Sequence, residues 1–258
     1  MNSILFEKTN GIARITLNRP QVYNSFNREM ALALQSCLDD CWNDNEIRAI
    51  YLTGAGRAFC AGQDLQEVSG ENAIELTTIL QEHYNPIIER IRTIEKPIVA
   101  AVNGVAAGAG ANIALACDVV VATQSASFIQ AFSKIGLIPD SGGTFLLPRL
   151  IGFQRASALM MLGDKILAPE ASQMGMIYKY FADEEFLTES WKIVETLSQL
   201  PTKGLGYTKR ALNQSFTNNL SSQLLLEDEL QTKAGATEDY REGVNAFLEK
   251  RMPKFKGA

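Results

Sequence analysis

KPIVAAVNGVAAGAGANIALACDVVVA at Lys96–Ala122, followed by IGLIPDSGGTFLLPRL at Ile135–Leu150, is the stretch on which the fold turns. An apolar, β-branched segment enters a Gly/Ala turn, and the turn opens directly into a helix-forming run, GANIALAC. Backbone N–H groups at a helix start have no partner within the helix and point at whatever lies there. Small residues let a ligand approach that backbone closely. Such an arrangement stabilises negative charge on an oxygen. Further on, Asp140 sits between Pro139 and SGG, after Ile135, Leu137 and Ile138. A carboxylate fixed in such a turn after an apolar run is a candidate general base with a raised pKa. The competing reading of Asp140 is a turn residue, or the cap of the helix that begins after Gly142.

Working outward, ILFEKTNGIARITLNRP reads as a hairpin turning at Asn10-Gly11, with Pro20 ending its second strand. Asn24 or Ser25 is placed to cap a helix over Asn27–Trp42, whose buried face carries Met30, Leu34, Cys37, Leu38 and Cys41. IRAIYLTG is a buried strand, and a Gly-rich loop follows it. Glu71–Glu95 has a helical pattern that Pro86 must kink or break. After Gly142 the chain is mostly helical: Gly143–Ile151, Gln154–Leu162, Pro169–Met174, a short strand in MIYKYFA, then helices around Glu184–Leu200, Thr202–Ser215, Leu220–Ala234 and Thr237–Lys250. Strand–turn–helix units recur roughly every 45 residues through the first two thirds, which suggests an α/β spiral of ββα units with a helical C-terminal region.

The 258 residues suit one domain or one domain with a small appendage, and 46% apolar content is enough for a full core. A net charge of −5 without a basic run argues against nucleic-acid or anionic-membrane binding by bulk electrostatics. No apolar stretch reaches the length of a membrane span, and Met1–Gly11 lacks the zones of a signal peptide. Cys37, Cys41, Cys60 and Cys117 lack CxxC spacing and are read as buried free thiols of a cytoplasmic protein. No cluster of His, Cys, Asp and Glu has metal-ligand spacing. PDSGG around Ser141 imitates a serine-protease signature, but His83, the only histidine, has no surrounding motif that would make it the base a nucleophilic serine requires.

The chain resembles the crotonase (enoyl-CoA hydratase/isomerase) superfamily. The matching residues are LNRP and NSF within Leu17–Phe26, GAGRAFCAGQDL at Gly54–Leu65, KPIVAAVNGVAAGAG at Lys96–Gly110, ACDVVVAT at Ala116–Thr123, and Ile135–Gly152. HYNPIIERI, AFSKIGLIPDSGGTFLLPR and the tail DYREGVNAFLEKRMPKFKG look most like the isomerases that turn ring-1,2-epoxyphenylacetyl-CoA into oxepin-CoA. The resemblance implies a core over residues 1–200, a C-terminal helical trimerisation region over 201–258, and a homotrimer or homohexamer. It implies an acyl-CoA substrate and no cofactor beyond the coenzyme A of that substrate. It implies that the thioester oxygen is held by the backbone N–H groups of Gln63 and Ala109, with Ala61, Gln63, Asp64 and Leu65 forming the CoA-binding loop.

Hydratases of the superfamily carry two glutamates, which here correspond to Asn112 and Phe132. Neither moves a proton at neutral pH, so Asp140 is left as the catalytic group. A single carboxylate suits a proton shuttle, which removes a proton α or γ to the thioester and returns it elsewhere. Asn112, Phe132, Tyr84 and His83 are read as lining or bordering the acyl pocket. Arg28, Arg251, Lys254 and Lys256 are candidates for the CoA phosphates. An isomerase that shifts a double bond from the 3- to the 2-position of linear acyl-CoAs is the alternative, followed by a hydratase.

Overall fold

The computed structural model describes residues 2–69 and 73–258. Strands β1 (Ile4–Thr9) and β2 (Ile12–Leu17) form the expected antiparallel hairpin. Asn10 and Gly11 both have positive φ, as a two-residue turn matched to the strand twist requires. Helix α1 (Arg28–Asn43) starts two or three residues later than the cap assignment to Asn24 or Ser25 implies. Asn27 is the cap, its side chain accepting from the Met30 N–H. Asn24 instead ties loops together: it is fully buried, accepts from the Arg19 N–H and donates to the Ala55 and Ala58 carbonyls.

Two sheets follow from a repeated division of labour. β3 (Ala49–Gly54), β5 (Ile98–Val102) and β7 (Val119–Thr123) join β2 in parallel. Each is followed at once by a three-residue strand in a second sheet: β4 (Ala58–Cys60), β6 (Val105–Ala107) and β8 (Ser127–Ile129). β9 (Lys165–Leu167) adds to β8, and β10 (Lys179–Phe181) to β7. The large sheet runs β1-β2-β3-β5-β7-β10 and the small one β4-β6-β8-β9. One strand per sheet per turn fits the expected ββα unit, although β4 lies in the stretch read as a Gly-rich loop. The third turn is tighter than the second, because only helix α4 (Ala109–Ala116) separates β6 from β7.

The large sheet is covered on both faces, which is why its strands read as continuous apolar runs. Ile50, Leu52, Ile98 and Ala100 face the main core with α1 and α4, while Ala49, Tyr51, Val99 and Ala101 face Phe186 and Val194 of the helix α8 (Phe186–Gln199). The run expected as one kinked helix is three pieces: α2 (Leu76–Thr78), a π-helical segment (Ile79–Tyr84) and α3 (Asn85–Thr93). Pro86 sits in the first turn of α3, where its missing N–H costs least; the first residues of the expected run, Glu71 included, lie outside the described residues. Beyond Gly142 come α5 (Gly143–Ile151), α6 (Phe153–Leu162) and α7 (Ala168–Gln173).

The C-terminal helices are α9 (Thr202–Gln214), α10 (Leu220–Gly235) and α11 (Glu238–Leu248). Of the apolar residues on α10 and α11, Leu230 is buried within the chain, while Leu225 (73%), Phe247 (83%) and Leu248 (72%) stand exposed. These faces therefore do not close over the chain's own spiral. All four cysteines are free thiols; Cys41, Cys60 and Cys117 are buried, whereas Cys37 is half-buried. Burial pushes the Cys60 and Cys117 thiols up to about 12.

Candidate active site

Three segments converge beside the small sheet. The loop after β4 carries Gln63; the β6–α4 turn carries Ala109; the segment entering α5 carries Asp140. Phe26 clamps the first loop: its N–H donates to the Gly62 carbonyl and its own carbonyl accepts from the Asp64 N–H. That pairing leaves the Gln63 N–H between them facing away from Phe26. The Ala109 N–H, at the first position of α4, has no acceptor earlier in its helix. Among the described residues neither group donates to a backbone carbonyl outside its own element.

The two loops touch. Gly62 has a φ of +93°, and a Cβ there would lie 3.0 Å from the Ala107 carbonyl and 3.6 Å from the Ala109 nitrogen. A side chain at 62 would thus be strained and would crowd the space over the Ala109 N–H. At Gly110 a Cβ would fall 2.4 Å from the Cys60 carbonyl oxygen, so the start of α4 lies directly on β4. The Phe132 ring lies over Gly108, 3.7 Å from where a Cβ would be.

Asp140 is half-buried, and burial raises its pKa; a hydrogen bond from Ser141 Oγ to its Oδ1 (2.8 Å) pulls it partly back. The cap reading fails, because the α5 cap is Gly142 and no side chain bonds to it. The apolar run thought to desolvate Asp140 points outward instead, with Ile138 81% exposed. Ser141 is buried with a φ of +50°, a left-handed conformation uncommon for serine. Its hydroxyl serves Asp140 and meets no histidine, which removes the protease reading.

Asn112 is buried in α4, but its amide does not face an open pocket: Nδ2 donates to the Asp140 carbonyl (2.9 Å) and Oδ1 accepts from Gln130 Nε2 (2.8 Å). Tyr84 is likewise committed. Its ring meets Phe26 edge-on at 5.9 Å and its hydroxyl donates to Gln63 Oε1 at 2.8 Å. Gln63 Nε2 in turn donates to Glu67 (3.0 Å), which accepts from the Arg28 N–H (2.9 Å). The Gln63 side chain, uninformative in the sequence, tethers its own loop. The Tyr84 hydroxyl is held protonated well above its usual range, by burial first and then by Cys60, Asp140, Glu67 and Asp64.

His83 is fully buried, with no hydrogen-bond partner at either ring nitrogen among the described residues. Burial lowers its pKa, and the charges around it are Glu67, Arg28 and Glu82. Burial thus favours its neutral form. In the loop Ala61–Leu65, Leu65 is exposed, but Asp64 is engaged: it pairs with Arg19 (2.9 Å) and accepts from the Gln66 N–H. Of the phosphate candidates, Arg28 is paired with Glu82, Arg251 with Glu242 and Glu249, and Lys256 lies 3.9 Å from Glu238. Lys254 is exposed and forms no ion pair among the described residues. No metal-binding cluster occurs among the described residues, nor any helix long and apolar enough to cross a membrane. A broad groove between α9 and α10, lined by Leu205, Tyr207, Leu212 and Leu224, lies away from Asp140. Sequence reasoning missed Gln130, Ser141 as a partner of Asp140, and Glu67. The one signal for Gln130 was a lone amide within the apolar run SFIQAF.

The chain is similar to known proteins over nearly its whole length. Residues 7–258 match the family described as enoyl-CoA hydratase/isomerase. The chain is 47% identical to the 1,2-epoxyphenylacetyl-CoA isomerase of Escherichia coli K12, over 100% of this chain and 99% of that protein. It is 46% identical to a Rhodobacter capsulatus protein named a probable enoyl-CoA hydratase, over 99% and 98% of the two chains. Among solved structures, an enoyl-CoA hydratase from Polaromonas sp. JS666 superimposes with a TM-score of 0.91 at 34% identity, over 98% of this chain and 99% of that one. The chain belongs to the enoyl-CoA hydratase/isomerase family.

Proposed function

We propose that this protein is an acyl-CoA isomerase that converts ring-1,2-epoxyphenylacetyl-CoA to oxepin-CoA. Asp140 is its single acid–base group, and the Gln63 and Ala109 N–H groups are its donors to the thioester oxygen. The observation that carries the reading is that the Asp140 segment is bonded to Asn112 of α4, the helix that starts at the N–H turn, while the family's two glutamate positions hold a buried amide and a phenyl ring. The 47% identity to the epoxide isomerase supports the choice of substrate.

Deprotonation beside a thioester places charge on the thioester oxygen. Two N–H donors, one at a helix start, stabilise that charge as it develops. Ionised Asp140 takes the α-proton and returns it at a ring carbon as the bond shared by the epoxide and the six-membered ring opens. No atom is gained or lost, so one carboxylate with a raised pKa suffices for both transfers. The 3-enoyl to 2-enoyl shift uses the same three groups and is the second reading. The hydratase name of the relative at 46% identity makes water addition the reaction to exclude.

Incubation with epoxide, 3-enoyl and 2-enoyl CoA thioesters in D2O, followed by chromatography and mass spectrometry, tests the reading. An isomer of the epoxide that carries deuterium but no added water is expected, and none with Asp140→Asn. Turnover by Asp140→Asn at the wild-type rate would overturn the mechanism. We further propose that the exposed apolar faces of α10 and α11 meet a second subunit in a cytoplasmic trimer or dimer of trimers, with residues 201–258 as the assembling region, and that Lys254 meets a CoA phosphate. A light-scattering mass near the 28.3 kDa of one chain would refute the assembly.

A further inference from the structure

We propose that Asn112 and Gln130 form an amide relay that fixes the position of Asp140, which makes both of them positioning residues. This rests on the reading of Asp140 as the acid–base group. The relay starts from an atom that can only accept, the Asp140 carbonyl oxygen. It faces Asn112 Nδ2 at 2.9 Å, and this fixes which way the Asn112 amide points. Asn112 Oδ1 must then face Gln130, whose Nε2 donates to it at 2.8 Å. Each amide orients the next. Asn112 is fully buried and Gln130 only 4% exposed, so water competes little with either bond.

The same carbonyl also accepts from the Gly143 N–H at 2.8 Å. The backbone at 140 is thus held from both sides, by a side chain of α4 and by the first residue of α5. Gly143 is part of the fit, because a Cβ there would lie 2.4 Å from Asn112 Nδ2. The position that holds a carboxylate in hydratases here carries a donor turned onto the catalytic segment. A carboxylate at 112 would present lone pairs to the Asp140 carbonyl and push the segment away.

The variants Asn112→Asp, which keeps the shape and loses the donor, and Gln130→Met, which releases the Asn112 amide, test the relay. The readout is uptake of deuterium from D2O at the α-carbon of phenylacetyl-CoA, a step that needs only the base and the oxyanion donors. For Asn112→Asp the expected result is a fall in kcat of about 100-fold, the scale of a 1 Å misplacement, with KM within about twofold. For Gln130→Met a fall of about tenfold in the same sense is expected. The Asn112→Asp deficit relative to wild type should narrow as pH falls, since the introduced carboxyl regains an O–H donor when protonated. Wild-type kcat in Asn112→Asp, or a deficit independent of pH, overturns the relay. Should Asn112→Asp not fold, unchanged kcat in Gln130→Met overturns it alone. Wild-type exchange by Asp140→Asn would instead overturn the reading of Asp140, a separate outcome.

Discussion

Gly110→Ala probes the proposed oxyanion turn without touching Asp140. The added Cβ would meet the Cys60 carbonyl oxygen at 2.4 Å and Cys60 Sγ at 2.6 Å, where an ordinary contact begins at 3.4 Å. The start of α4 must therefore withdraw from β4 by about 1 Å, because the Cys60 carbonyl is backbone and cannot rotate aside. Ala109, one residue earlier, moves with it, and a displacement of about 1 Å in a positioned group costs about 100-fold in rate. That corresponds to about 2.7 kcal/mol of barrier. Overpacking adds a stability loss of about 1–3 kcal/mol, or a lower Tm by about 2–10 °C for a chain of this size. The assay is deuterium uptake into phenylacetyl-CoA, with thermal unfolding alongside. Gly235→Ala serves as the control, since nothing lies within 4 Å of its Cβ position. Wild-type kcat in folded Gly110→Ala would refute the placement of the Ala109 N–H in the transition-state site.

Tyr84→Phe removes the donor to Gln63 Oε1; a loss of about 0.5–1.5 kcal/mol in stability and a fall in kcat of about three- to tenfold are expected, read by unfolding and exchange assays. Asp140 binds its proton more tightly in the folded chain than in the unfolded one, so its contribution to stability is full at acid pH and is lost as pH rises through the raised pKa. Asp140→Asn should therefore melt higher than wild type at neutral pH, with the two converging below the ordinary value of 3.8; a lower Tm at neutral pH would contradict the burial argument. Crotonyl-CoA hydration should run far below the roughly 10 s⁻¹ typical of enzymes, because no carboxylate pair remains to hold a water, and steady formation of 3-hydroxybutyryl-CoA would count against it.

The hairpin was legible because Asn10-Gly11 encodes a turn that few other residue pairs support, and the large sheet because both its faces are covered. The small sheet was not, because β4, β6, β8 and β9 hold three residues each, too few to show a period of two. Asp140 stood out through local chemistry, a carboxylate between Pro139 and two glycines. What holds it did not, because Asn112 and Gln130 join it from different elements of the spiral and each reads alone as an ordinary polar residue. The same limit hid the tether from Tyr84 through Gln63 to Glu67. It also hid the carboxylates that pair with Arg28 and Arg251, which only the fold brings near.

A hydratase must hold a water between two groups and split it; an isomerase must add no water to the carbons it deprotonates and reprotonates. On the proposed reaction, the two altered glutamate positions serve the second need in different ways. At 132 a buried ring lies over Gly108, next to Ala109, and supplies apolar surface there. At 112 the amide is spent on the chain itself, one end on the Asp140 carbonyl and the other on Gln130. On the proposed mechanism Asp140 works without a carboxylate partner. Burial raises its pKa, which favours holding a proton, while the Ser141 hydrogen bond favours the ionised form. The left-handed backbone at Ser141 fits this account, because a strained residue persists where its surroundings over-determine it. Here those surroundings are the carboxylate it serves and the carbonyl clamped from α4 and α5. On the proposed mechanism, the residue that removes a water-splitting glutamate and the contact that holds the shuttle are thus, at position 112, the same side chain.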